Sequence, residues 1–335
     1  MVKKEKLQKR LEDYRVPIQT KKIFLSAISK RCTHCGSDEF AKDGYRKTQY
    51  KGKIQIYRCN KCRRKFSLHP FPRTHFPVWV YEKILSLSAE GIRVKAIVQD
   101  IETTAKQKGI DLRISPATVL YIFKDMVALL VKIEEEYHHQ VLANMWQIDD
   151  CFQKLPHRIW AYITNVMAVD TRYWLASSVS IKRDTQGSMD ALEQSVRRAA
   201  YFPVEIRCDG LRAHAAAIKK VLPHIHNIKR KKMKDIAIVN YLERLNKTMR
   251  RVIIKGKCYP NEELLQTYAD IIRLQYNFLE KHASLGKKTP VEAAGMQLSV
   301  TGWKDLVLLA IQYKKRSRRT RRMTLHQFVQ SILST

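Results

Sequence analysis

No run of about 18 consecutive apolar residues occurs in this chain of 335 residues, so a bilayer-spanning helix is excluded from the reading. The opening residues, MVKKEKLQKRLEDYR, lack the apolar core of a secretory signal, and a soluble intracellular protein is expected. There is no internal repeat and no Gly/Ser-rich or Pro-rich linker. Acidic residues are scarce: 31 Asp and Glu stand against 63 Lys and Arg, a formal charge of +32. An excess of that size calls for a polyanionic partner, and without a membrane segment nucleic acid is the one that fits. Seven cysteines, an odd number in an intracellular setting, argue against a disulfide framework. What remains is a globular composition, 45% hydrophobic and 9% aromatic, long enough for two or three domains with a real core.

Four of the cysteines form two CxxC pairs, Cys32 with Cys35 and Cys59 with Cys62. Each pair can bend into a knuckle presenting two thiolates, and two knuckles close a tetrahedral site for one structural Zn²⁺. The Asp43-Gly44 and Lys51-Gly52 pairs predict turns between short strands, giving a zinc ribbon over residues 31–75. So small a unit depends on the metal for much of its folding free energy. Arg58, Lys61, Arg63, Arg64 and Lys65 crowd the second knuckle and suit contacts to DNA phosphates. Ahead of it, a leader over 1–30 carries Leu7, Leu11 and Tyr14 at helical spacing.

Residues 76–140 read as helices. PVWVYEKILSLSAEG ends at Gly91, and the next helix aligns Val94, Ile97, Val98 and Ile101 on one face. A third opens with Ser115 as cap and Pro116 in its first turn. The set resembles a helix-turn-helix with 116–127 as the reading element, although the connection TTAKQKGIDLRI is longer than the usual turn. The acidic run EEEYHH, starting at Glu134, is taken as the boundary of the next domain.

From 141 to 300 the order of elements is informative. Three strand patterns come first, followed by alternating helices and strands, with HIHNI as a short fifth strand. That order indicates an α/β sheet, antiparallel first and parallel later, as in an RNase H-like fold with a mixed five-stranded sheet. Asp149 falls on the first strand. Asp209 falls at the carboxyl end of the fourth, where ligand sites of such sheets lie. Glu243 arrives from a helix, about 140° from the centre of its apolar stripe, and on periodicity alone reads as solvated. Taken singly, each of these acids is as readily a surface carboxylate. Together they could hold two divalent cations and cleave phosphodiesters.

The motifs around those acids resemble the insertion-sequence transposases of the DDE type over roughly residues 30–300. WQIDDCF resembles the family's W-x-x-D strand, IRCDGLRAH its DG-x-x-A-(Y/H) signature and NYLERLNKTMRR its N-x-x-E-R helix. QYNFLEKHASLGKKTPVEAAG resembles its usual tail, with Asn277, Phe278, His282 and the Thr289-Pro290 pair in place. The resemblance implies catalysis by Asp149, Asp209 and Glu243, holding two Mg²⁺ or Mn²⁺ to cut DNA and transfer strands. It further implies double-stranded transposon ends and target DNA as partners, a homodimer or larger assembly, and a nucleoid-associated prokaryotic cytoplasmic setting. One departure is Asp150, where many relatives carry Glu. It is also the nearest rival to Asp149, but adjacent strand residues face opposite ways and the motif spacing favours Asp149. Lys229, Arg230, Lys231 and Lys232 before the glutamate's helix, and Arg250 on it, are candidate DNA contacts. His214, His224 and His226 are taken as structural. A basic tail, KKRSRRTRR, and a C-terminal helical pattern complete the chain over 301–335. The alternatives are a DNA-binding regulator without catalysis, an RNase H-like nuclease that stops at hydrolysis, and an immobile copy of the same fold.

Overall fold

The computed structural model describes residues 32, 34–67, 75–137, 143–200, 202–230, 240–256, 259–296 and 300–319. The leader, Lys231, Lys232 and the C-terminal pattern MTLHQFVQSILST lie outside them.

The first unit is a three-stranded antiparallel sheet of β1 (Phe40–Thr48), β2 (Gly52–Cys59) and β3 (Lys65–Phe66). Lys51-Gly52 makes the expected turn into β2. Asp43-Gly44 does not turn the chain. It forms a bulge inside β1, where the register slips between Lys42 and Tyr45 and Gly44 sits at φ +79°. Cys32, Cys59 and Phe66 are buried with Phe40 and Tyr57 packed on them, a core too small to sustain the unit alone.

Three helices follow: α1 (Val78–Ala89), α2 (Val94–Gln107) and α3 (Pro116–Tyr137). Val80, Ile84 and Leu85 of α1 and Ile97, Ile101 and Ala105 of α2 recur at helical spacing and are fully or almost fully buried. Full burial stabilises each of the larger ones by about 1.5–3 kcal/mol. The Ser115 hydroxyl accepts from Thr118 N at 3.1 Å and caps α3 as expected. Gly91, in the turn between α1 and α2, lies at φ +75°, and a Cβ there would come within 2.2 Å of the Val252 carbonyl oxygen. Only glycine meets both conditions.

The second sheet runs in the order β6-β5-β4-β7-β8. β4 (Met145–Lys154), β5 (Trp160–Ala168) and β6 (Tyr173–Ser180) form an antiparallel meander, and β7 (Glu205–Cys208) joins β4 in parallel. The expected five-stranded sheet thus has four main strands. A three-residue edge, β8, follows at Ile228–Arg230, beginning at the last residue of HIHNI. Helices α4 (Thr185–Arg198), α5 (Arg212–Val221), α6 (Asn240–Gly256), α7 (Glu262–Phe278), α8 (Pro290–Ala293) and α9 (Trp303–Arg319) complete the described chain. α9 packs on α1 and α3 and carries Lys314–Arg319 of the basic tail within a helix.

The outer edge of β6 is closed by amide side chains of α7. Asn277 Oδ1 accepts from Trp174 N and its Nδ2 donates to Trp174 O, both at 2.9 Å, while Gln266 does the same for Val179 N and Ser177 O. One hydrophobic core runs continuously from Phe76 to Ile311, through helices and sheet alike. Glu134, in the run taken as a boundary, lies wholly inside it. It accepts from Tyr173 Oη at 2.7 Å and from Arg273 Nη1, with Arg198 Nε at 3.8 Å. Among the described residues, no helix is long and apolar enough to cross a membrane.

Candidate active site

The ladder between β4 and β7 sets the geometry. Ile148 pairs in parallel with Cys208, so Asp209, just past the end of β7, lies alongside Asp149 in the middle of β4. Asp149 faces α6. Its Oδ2 accepts from Asn246 Nδ2 at 2.9 Å, Asn246 Oδ1 accepts from Asn165 Nδ2 at 2.8 Å, and Asn165 Oδ1 accepts from the Ser177 hydroxyl at 3.0 Å. These three donors are buried and fully partnered along the relay, which fixes the carboxylate's orientation. Burial, together with the Asp209 charge, pushes the Asp149 carboxyl up to about 6.

Asp150 points the other way, as strand alternation requires. Its Oδ1 accepts from the Thr164 hydroxyl at 2.7 Å and faces His214 Nε2 at 3.1 Å, and Arg183 Nε reaches Oδ2 at 3.3 Å. His214, on α5, also places Nδ1 2.8 Å from Asp209 Oδ1, which takes the Leu211 N–H at 3.0 Å as well. Burial disfavours charge on this imidazole, but the two carboxylates outweigh it and raise His214 to about 9. The imidazolium donates from both nitrogens. Burial works to raise Asp150 and Asp209, yet the His214 bonds and charge prevail, and both are held below the usual carboxylate range.

Glu243 lies in the first turn of α6 and is exposed. Asn246, three residues on, is the helix's contact to Asp149, so Glu243 sits one turn away on that side. The face that periodicity assigns to solvent therefore lies against β4, and Asn246 on it is buried. Arg250 lies over the Phe152 ring at 5.8 Å. Lys229 and Arg230 fall in β8.

The four ribbon cysteines converge, with all their sulfurs within 4.8 Å of one another. Cys32 and Cys62 sulfurs are 3.6 Å apart, Cys35 and Cys59 3.5 Å. A tetrahedron with Zn–S near 2.3 Å has edges of about 3.8 Å, so the cage fits zinc closely. The His34 N–H donates to Cys32 Sγ and the Cys62 N–H to Cys59 Sγ, each at 3.4 Å. The Cys62 N–H is the largest influence in lowering the Cys59 thiol to about 6. At Cys62 the Arg64 N–H is outweighed by burial and the three neighbouring sulfurs, which raise it to about 11, so Cys59 is the readier thiolate of the two. Among the described residues this is the group that closes so tightly; Asp149, Asp209 and Glu243 do not. Of the basic residues at the second knuckle, Arg58 and Lys65 pair with Asp43 at 3.2 and 3.0 Å, while Lys61, Arg63 and Arg64 are exposed.

Periodicity and spacing alone did not identify His214, Asn246, Asn165 or Ser177 as site residues. The signals present were a histidine five residues beyond Asp209 and an asparagine three beyond Glu243.

No protein-family model matches the chain, and no curated protein matches it. Among solved structures it is similar to a chain of the simian T-cell lymphotropic virus intasome bound to a PP2A regulatory subunit (14% identity, 46% of this chain, 55% of that chain, TM-score 0.37). It is also similar to the HTLV-2 integrase catalytic core with magnesium (18%, 46% and 99%, 0.36) and to the BIV integrase catalytic core (14%, 45% and 93%, 0.33). The chain therefore spans just over half the length of the intasome chain. At these scores the functional reading rests on this chain's own residues.

Proposed function

We propose that this protein is a DNA transposase of the DDE type, which cleaves DNA at the ends of a mobile element and joins the freed strand to a target. The observation that carries the reading is the parallel register of Ile148 with Cys208. It sets Asp209, just past the end of β7, alongside Asp149 within β4, which the helix bearing Glu243 contacts through Asn246, in a chain of formal charge +32. The donors suit a hard divalent cation: they are oxygens, and Asp149 is pressed against a like charge that a cation would relieve. Asp149, Asp209 and Glu243 would hold the ions. Bound Mg²⁺ or Mn²⁺ supplies Lewis acidity and an activated attacking oxygen at neutral pH.

The chain's own residues do the rest. The Ser177–Asn165–Asn246 relay holds Asp149 in one orientation. His214 ties Asp209 to Asp150 and limits the repulsion between them. Arg183 and Arg250 stand where they can receive phosphates of a strand entering the site. The Cys32, Cys35, Cys59 and Cys62 cage with Zn²⁺, and the helices α1–α3, would grip the ends, with two copies acting together on the paired ends.

The test uses duplexes made from the DNA flanking the coding sequence, end-labelled and incubated with protein, Mg²⁺ and a plasmid. The expected products are a nick at the element end and labelled plasmid. Asp149→Asn and Asp209→Asn should each lower both by about a hundredfold or more, the scale of several kcal/mol of metal-borne stabilisation. Undiminished cleavage by both variants refutes the catalytic assignment. Cleavage that never yields labelled plasmid identifies a nuclease instead.

A further inference from the structure

The β4–β5 hairpin continues past the carboxylates into a surface whose aromatic rings the proposed chemistry leaves unused. Its register pairs Asp150 with Thr164, Phe152 with Tyr162 and Lys154 with Trp160. One face of the hairpin thus steps outward from the acid to a pair of rings, then to a lysine beside an indole. The outer rings are uncovered: Phe152 is 48% and Trp160 45% exposed, and they meet edge to face at 5.5 Å. A cation stands beside each ring, with Lys154 5.7 Å from Trp160, Arg250 5.8 Å from Phe152 and Arg183 5.8 Å from Tyr162.

Exposed rings interleaved with cations offer π-faces to bases and positive charge to the phosphates between them. A base inside a duplex is already stacked on both sides and cannot use such a face. An unpaired one can. A second copy of the chain would bring the same positive charge to this surface, which disfavours self-docking. We propose that the outer β4–β5 face is a platform for unpaired DNA bases, seating nucleotides of a frayed or extruded strand end beside Asp150, the chain neighbour of Asp149. This rests on the reading of the chain as acting at DNA ends, and it adds that the strand is opened there.

The full chain, with EDTA to prevent cleavage, is titrated by fluorescence anisotropy against labelled oligothymidylate about twelve nucleotides long and against a blunt duplex of equal length. Phe152→Ala combined with Trp160→Ala should weaken oligothymidylate binding about tenfold or more and duplex binding by less than about twofold. Phe152→Tyr with Trp160→Phe keeps both rings and should bind as the natural protein does. An unchanged oligothymidylate affinity in the alanine pair, or an equal loss on duplex, overturns the platform; so does loss in the ring-keeping pair. Oligothymidylate affinity intact in the alanine pair, with a shift from dimer to monomer in sedimentation, assigns the face to a second copy and overturns it too. Asp149→Asn should retain oligothymidylate binding, so failure of the platform and failure of the catalytic reading are seen in different variants.

Discussion

Asp149→Asn should stabilise the metal-free protein near neutral pH while removing its activity. Burial and the Asp209 charge lift the Asp149 carboxyl to about 6, from an ordinary aspartate value near 3.9. A folded-state value above the unfolded one means that the fold resists ionisation. Below about pH 4 the group is protonated in both states and costs nothing. The penalty grows as pH rises and is complete above about pH 6. At about 1.36 kcal/mol per pH unit the full penalty is about 3 kcal/mol, and partial access to solvent lowers it to about 1–3 kcal/mol. Asparagine keeps an acceptor for Asn246 Nδ2 and removes the charge. Thermal melts in EDTA at pH 7.5 should show the variant about 2–6 °C above the natural protein, and at pH 5 the gap should shrink by about half. A variant that melts lower at pH 7.5, or a gap independent of pH, refutes the account of a carboxylate held ionised against its surroundings.

Two further outcomes are expected. Gly91→Ala should destabilise the protein by about 2–4 kcal/mol in urea unfolding, because alanine meets both a left-handed backbone and the Val252 carbonyl; an unchanged midpoint would show that the α1–α2 turn is not so tightly placed. Purified Cys32→Ser should lose its equivalent of zinc by elemental analysis while the main melting transition persists, since the ribbon's small core is separate from the large one; retained zinc would reject the four-thiolate cage.

The legible part of the fold was the part dictated by local pattern. Strands β4 to β6, the Ser115 cap and the alternation that sends Asp149 and Asp150 to opposite sides all follow from residue spacing. Asp43-Gly44 misled because a bulge and a turn ask for the same left-handed glycine. β8 starts only at the last residue of HIHNI because pairing with β7, not apolar alternation, sets its register. Glu134 reads as part of a run marking a domain boundary because its partners, Tyr173 and Arg273, are distant in sequence. The same holds at the site: Asn246 reads as one polar residue on a basic helix until β4 is brought beneath it. Glu243 rests on motif likeness and on its place one turn from Asn246.

The charges sealed around Glu134 have a consequence for how DNA would be handled. Glu134 belongs to α3, Arg198 to α4, Arg273 to α7 and Tyr173 to β6, and removing one member of such a buried set costs about 3–5 kcal/mol. The helix expected to read DNA and the sheet expected to cut it are thus clamped to each other through Glu134. Under the proposed function, a protein built that way would work as a ruler: the distance along the duplex from the bases read to the bond broken would be set by the rigid body. Inserting or deleting half a helical turn of DNA between them would carry the target bond to the far side of the duplex.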